Sequence, residues 1–130
     1  MPMRILYIED AQDQADIVAT ILEHEFEDVE VQIAADGLEG IRKAREWDPD
    51  LILLDLMMPR ADGVEVIHRL RRDDKIADVP IVVLSAWVGA GSQIGRVIEK
   101  AGANAVYAKP VEAEQLVNIV ARYARQRKST

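Results

Sequence analysis

The feature that most constrains this fold is a regular alternation of two hydrophobic periods. Apolar runs of strand length recur as MRILYI at 3–8, VEVQIA at 29–34, DLILL at 50–54, PIVVL at 80–84 and NAVYA at 104–108. After each run the apolar residues return every three or four positions, as one face of a helix requires. The helix faces read as Ile17, Ile21 and Leu22; Leu38, Ile41 and Ala44 behind Gly37; Val64, Val66, Ile67 and Leu70, with Asp62 placed to cap; Ile94, Val97 and Ile98, closed by Gly102; and Leu116, Ile119, Val120 and Tyr123. A strict strand–helix alternation predicts an α/β domain with a parallel sheet and helices on both faces. DLILL and PIVVL are apolar without alternation, as central strands buried on both sides are.

Bulk properties narrow the class further. At 130 residues, 49% hydrophobic and 30% charged, the chain suits one globular domain. The expected limits are 1–126 for the domain and 127–130 for a short basic tail. No apolar run approaches the roughly 20 residues of a membrane span. Cysteine is absent, which excludes disulfides and thiolate metal sites. No leader-like segment precedes MRILYI, so the cytoplasm is the expected setting. A formal charge of -7 argues against direct nucleic-acid binding, since phosphate would be repelled.

In an open parallel sheet the ligand site lies beyond the carboxyl ends of the strands. Glu9 and Asp10 follow the first strand, Asp55 the third, Ser85 the fourth, and Lys109 with Pro110 the fifth. Topology alone would gather them at one edge. Two carboxylates at about 4 Å repel by roughly 4 kcal/mol at an effective dielectric near 20, so something cationic must share the site. A hard divalent ion with oxygen ligands, Mg²⁺ above all, supplies most of that charge. Lys109 supplies the rest as a point charge aimed at an anion. A carboxylate is also a competent nucleophile toward phosphorus, and the Ser85 hydroxyl would donate a further hydrogen bond as charge develops on the phosphoryl oxygens.

ILYIED, DLILLDLMMPRADG, VVLSA and AGANAVYAKP together resemble the strand-end motifs of receiver domains of two-component response regulators, over essentially the whole chain. The resemblance implies a flavodoxin-like (βα)5 fold with strand order 2-1-3-4-5. It implies Asp55 as phosphoacceptor, charged by a histidine kinase or a phosphotransfer protein, and Glu9 and Asp10 as the acidic pair holding Mg²⁺. Met57 would offer its backbone carbonyl to the metal, Ser85 would be the switch hydroxyl, and Lys109 would contact the phosphoryl group. A cis peptide between Lys109 and Pro110, and a downstream protein partner recognised around the fourth helix and fifth strand, are implied as well.

Three departures from the family pattern stand out. The aromatic residue usual three positions before the lysine is Val106 here, and Tyr107 comes one place later; strand alternation sends its ring to the other face. The signal is then expected to travel through the loop and helix after Ser85. The glycine-rich stretch AWVGAGSQIG, 86–95, is about two residues longer than the family spacing and is expected to be mobile without phosphate. Met57 and Trp87 stand two beyond Asp55 and Ser85, where neither orients water, so slow self-dephosphorylation is expected.

Plainer readings apply elsewhere. Asp10 alone could cap a helix; its company with Asp55 and Lys109 argues for the site. His24 and His68 read as solvated, Trp47 as a helix-end packing residue, and the sulfurs of Met57 and Met58 as non-ligands for a hard cation. The basic residues of RYARQRKST read first as a solvated helix end that complements the dipole; the alternative is a linker toward an output domain or a contact for an acidic partner. With no recognisable output module after residue 124, the chain reads as a single-domain regulator or an excised receiver. Two rival functions are a pseudo-receiver that binds partners without phosphate and a Mg²⁺-dependent aspartate-nucleophile phosphohydrolase; the latter would want a second catalytic acid and a substrate pocket.

Overall fold

The computed structural model describes residues 2–56, 61–86 and 93–128. Five strands, β1 (Met3–Ile8), β2 (Val29–Ala34), β3 (Leu51–Leu56), β4 (Ile81–Ser85) and β5 (Ala105–Ala108), alternate with five helices. These are α1 (Gln12–Glu25), α2 (Gly37–Trp47), α3 (Ala61–Arg72), α4 (Gln93–Ala101) and α5 (Ala113–Lys128). All strand pairs are parallel and the order is β2-β1-β3-β4-β5. This is the flavodoxin-like arrangement expected. No helix among the described residues is long and apolar enough to cross a membrane.

Side-chain alternation along the strands divides the interior in two. Leu6, Ile8, Ile52, Leu54, Ile81, Val83 and Val106 pack with Ala44, Ile67, Leu70 and Ile98 under α2, α3 and α4. Ile5, Tyr7, Leu51, Leu53, Val82 and Leu84 pack with Ala15, Leu22, Leu116, Ile119 and Tyr123 under α1 and α5. The continuous apolar runs are the strands buried from both sides.

The helices correct part of the sequence reading. Ile17, Leu38, Ile94 and Val97, all read as inward-facing, are exposed. Small residues share the buried stripe with Leu22 and Ile98: Ala15 and Ala19 in α1, Gly40 and Ala44 in α2, Gly95 and Ala101 in α4. Small side chains let a helix axis approach the sheet, which pushes larger apolar residues to its flanks. At Gly40 the approach to the sheet is close, since a Cβ there would lie 2.5 Å from Ile8 Cδ1. Two positions away, Leu38 turns outward.

Several boundaries also move. Asp55 and Ser85, expected just past their strands, are still paired, Asp55 with Leu84 and Ser85 with Leu56 and Ala108. Asp62 falls inside α3, not before it. Asp36 caps α2, accepting from the Glu39 N–H at 2.8 Å. α5 continues to Lys128, two residues into the expected tail. Trp47 ends α2 partly buried against the core, with the Arg4 guanidinium 5.8 Å above its ring. His24 and His68 are exposed.

Gly40→Val is expected to lower unfolding stability by about 2 kcal/mol or more through overpacking against Ile8, whereas Leu38→Ala should stay within about 0.5 kcal/mol. Chemical denaturation of the two variants checks the contrast.

Candidate functional site

Register builds the site. The last β1–β3 pair is Ile8 with Leu54, so Glu9 and Asp55 lie one step further on, side by side. Asp55 shares the parity of Leu53, and Glu9 that of Tyr7, which directs both toward the α1/α5 layer. Lys109 has the parity of Tyr107 and follows β5 on that layer, while its N–H donates to the Ser85 carbonyl at 2.8 Å. The Lys109–Pro110 peptide is cis.

The resulting cluster is tight. Lys109 Nζ lies 2.5 Å from Asp55 Oδ2 and 3.9 Å from Glu9 Oε2, with both carboxyl side chains fully buried. Lys109 Nζ also donates to Gln14 Oε1 at 2.9 Å, which anchors the ammonium from α1. Tyr7 Oη donates to Asp55 Oδ2 at 3.0 Å and lies 3.5 Å from Glu9 Oε2. The Ala11 N–H donates to Glu9 Oε1 at 2.9 Å. Glu9 thereby satisfies a backbone group at the start of α1, where no side chain caps the helix. Ser85 is fully buried at the end of β4, and Asp10 is exposed beside Glu9.

Charge is unevenly compensated here. Burial, above all, pushes the Glu9 carboxyl up from 4.5 to about 8; the Asp55 carboxylate adds to the rise, and the Ala11 N–H and Lys109 oppose it. Burial likewise raises the Tyr7 hydroxyl, assisted by the negative charge of Asp55 and Glu9, so this phenol is a donor. Asp55 Oδ1 is buried without a hydrogen-bond partner among the described residues.

That orphaned oxygen tests whether a metal fits. Asp55 Oδ1 lacks a donor among the described residues and burial opposes ionisation of the Glu9 carboxyl beside it; a divalent ion would serve both, and the side-chain ligands that the described residues offer it are hard oxygens. Among the described residues no group of three or more His, Cys, Asp or Glu side chains is gathered to hold an ion. Mg²⁺ usually takes only one or two carboxylates and keeps several waters, so the donor set fits it. Met57, with its expected carbonyl ligand, and Trp87 lie outside the described residues, as does most of the 86–95 stretch.

The structure therefore brings Glu9, Asp55 and Lys109 into direct contact and puts Ser85 on the neighbouring strand end. Sequence reasoning missed Tyr7 and Gln14. Tyr7 could have been found from period two, since it precedes Glu9 by two residues on one strand; Gln14 carried no such signal. Val106 lies in the core under α2, α3 and α4, and Tyr107 packs on the α1/α5 layer, on opposite faces as alternation requires.

A parallel 2-1-3-4-5 sheet with an acidic pair and a lysine at its carboxyl edge defines a class, and residues 5–121 match the family described as the response regulator receiver domain. The chain belongs to this family, the receiver domains of two-component systems. It is 38% identical over 119 residues to the DNA-binding dual master transcriptional regulator RpaA of Synechocystis sp., covering 88% of this chain and 46% of that protein. It is 27% identical over 124 residues to the polar-differentiation response regulator DivK of Brucella anthropi, covering 95% and 97%. The crystal structure of a CheY-like receiver domain protein from Methanospirillum hungatei superposes with a TM-score of 0.83 at 26% identity, covering 100% of both chains. The chain thus spans under half of one relative and nearly all of another.

The Glu9 shift has a stability consequence. A carboxyl raised in the folded state stabilises below its unfolded value of 4.5 and loses that contribution as pH rises through about 8. Without divalent metal, the melting temperature should fall between pH 5 and 9 on this account. In Glu9→Gln the decline should flatten, with a higher melting temperature than the native chain at the alkaline end; calorimetry in EDTA measures both.

Proposed function

We propose that the chain accepts a phosphoryl group on Asp55 from a histidine kinase or a phosphotransfer protein. The observation that carries this reading is the Lys109 ammonium 2.5 Å from a fully buried Asp55 carboxylate. That arrangement holds a cation where a phosphoryl group's negative oxygens would arrive. A carboxylate oxygen of Asp55 attacks phosphorus, the bond to the donor's nitrogen breaks, and the electron pair leaves with the imidazole. Lys109 neutralises charge on the equatorial oxygens and the Ser85 hydroxyl donates to one of them. Glu9, Asp10, Asp55 and the Met57 carbonyl would hold Mg²⁺, which when bound supplies further neutralisation of phosphoryl charge.

The chain catalyses only its own phosphorylation and the slow loss of the phosphoryl group. Phosphorylation shifts a conformational equilibrium and alters partner binding around α4 and β5. Tyr107, packed on the α1/α5 layer, does not carry the signal, which passes from Ser85 toward α4. This domain acts in the cytoplasm, through protein partners and without direct contact to nucleic acid.

Incubation with acetyl phosphate and Mg²⁺ should add the mass of one phosphoryl group, and Asp55→Asn should abolish the addition. Chelation should suppress it by at least tenfold. Incorporation that persists in Asp55→Asn would place the acceptor elsewhere. On phosphorylation the Tyr107 ring should keep its side-chain rotamer, which aromatic NMR couplings would reveal.

A further inference from the structure

Only one hydroxyl among the inward-facing residues of β1 reaches Asp55 and Glu9. Met3, Ile5 and Tyr7 line the same face, and packing there needs nothing beyond apolar volume. Phenylalanine would fill the space of Tyr7. The added hydroxyl instead lies 3.0 Å from Asp55 Oδ2 and 3.5 Å from Glu9 Oε2, in a side chain 1% exposed. Asp55 Oδ2 thus receives both Tyr7 and Lys109, while Oδ1 has no hydrogen-bond partner among the described residues.

We propose that Tyr7 is a positioning residue that stabilises the uncharged form of the domain: its hydroxyl holds the bare Asp55 carboxylate and thereby limits how fully, and for how long, Asp55 stays phosphorylated. The inference rests on Asp55 being the phosphoacceptor. Its physical basis is a difference in acceptor strength. A hydrogen bond to a carboxylate is roughly twice as strong as one to a neutral group. Once phosphorus is bonded to either carboxyl oxygen, one oxygen becomes an ester and the other a carbonyl, and neither retains the full charge. Away from water, the hydroxyl has no solvent partner to replace what it loses.

The same bond acts on the return step. Water's oxygen bonds to phosphorus, the bond between phosphorus and Asp55 breaks, its electron pair returns to the carboxyl group, and water's proton leaves with the phosphate. Tyr7 donates to the carboxylate that re-forms, which favours its departure. Tyr7 and Lys109 share one oxygen but act differently: the ammonium can follow the charge onto the phosphoryl group, whereas the phenol is fixed in the core of β1.

The test uses the full chain and Tyr7→Phe. At limiting acetyl phosphate with Mg²⁺, the phosphorylated fraction read by intact mass should be higher in Tyr7→Phe. After donor removal its half-life should be longer by on the order of threefold to tenfold. Tyr107→Phe should match the native chain. A second readout needs no phosphate: the native protein should show a downfield, slowly exchanging hydroxyl proton, absent in Tyr7→Phe and shifted upfield in Asp55→Asn. Equal charging and equal half-life in Tyr7→Phe, or a shorter half-life, would overturn the role of Tyr7 while leaving Asp55 as acceptor. No incorporation into the native chain would overturn both readings, even with the hydroxyl proton observed.

Discussion

The structure depends on two neighbouring buried carboxyl groups that share one ammonium among the described residues. Glu9 and Asp55 are neighbours because β1 and β3 pair in register, and both side chains are buried. One ammonium, from Lys109, serves both. The cost shows in Glu9, whose carboxyl is pushed up to about 8 by burial and by the adjacent Asp55, and in Asp55 Oδ1, which has no hydrogen-bond partner among the described residues. A site built this way favours whatever brings positive charge or disperses negative charge.

Strand alternation sorts these groups before any tertiary adjustment. Tyr7, Glu9, Asp55 and Lys109 share one parity across three strands, so all converge on the layer beneath α1 and α5. Ser85, by contrast, has the parity of Ile81 and Val83, which face the other layer, and it joins the site at a different angle. The displacement of the aromatic residue from 106 to 107 changes faces for the same reason. A one-residue change of position on β5 moves a ring from one core to the other.

Helix packing shows where hydrophobic pattern alone misleads. Large apolar residues mark only part of the buried stripe: Leu22 and Ile98 are buried, yet Ile17, Leu38, Ile94 and Val97 are exposed, and alanine and glycine fill other inward positions. A helix resting on a sheet is positioned by its smallest side chains, because they decide how closely the backbones approach. Gly40 against Ile8 is the clearest instance, and that contact sets α2 on the same strand that carries Tyr7 and Glu9.

The sequence by itself determined the order of elements, the parallel sheet and the strand-end addresses of Glu9, Asp10, Asp55, Ser85 and Lys109, because periodicity and chain order are local properties. It also determined the opposite faces of Val106 and Tyr107, since period two holds wherever a strand forms. Only tertiary structure decided which groups touch. Tyr7 reads as one more apolar strand residue until β1 and β3 align and its hydroxyl meets Asp55, and Gln14 reads as a surface helix residue until α1 lies beside Lys109. Distances between residues 48 or 95 apart depend on register and helix seating, which are set by packing across the whole domain and leave no mark in any short stretch of chain.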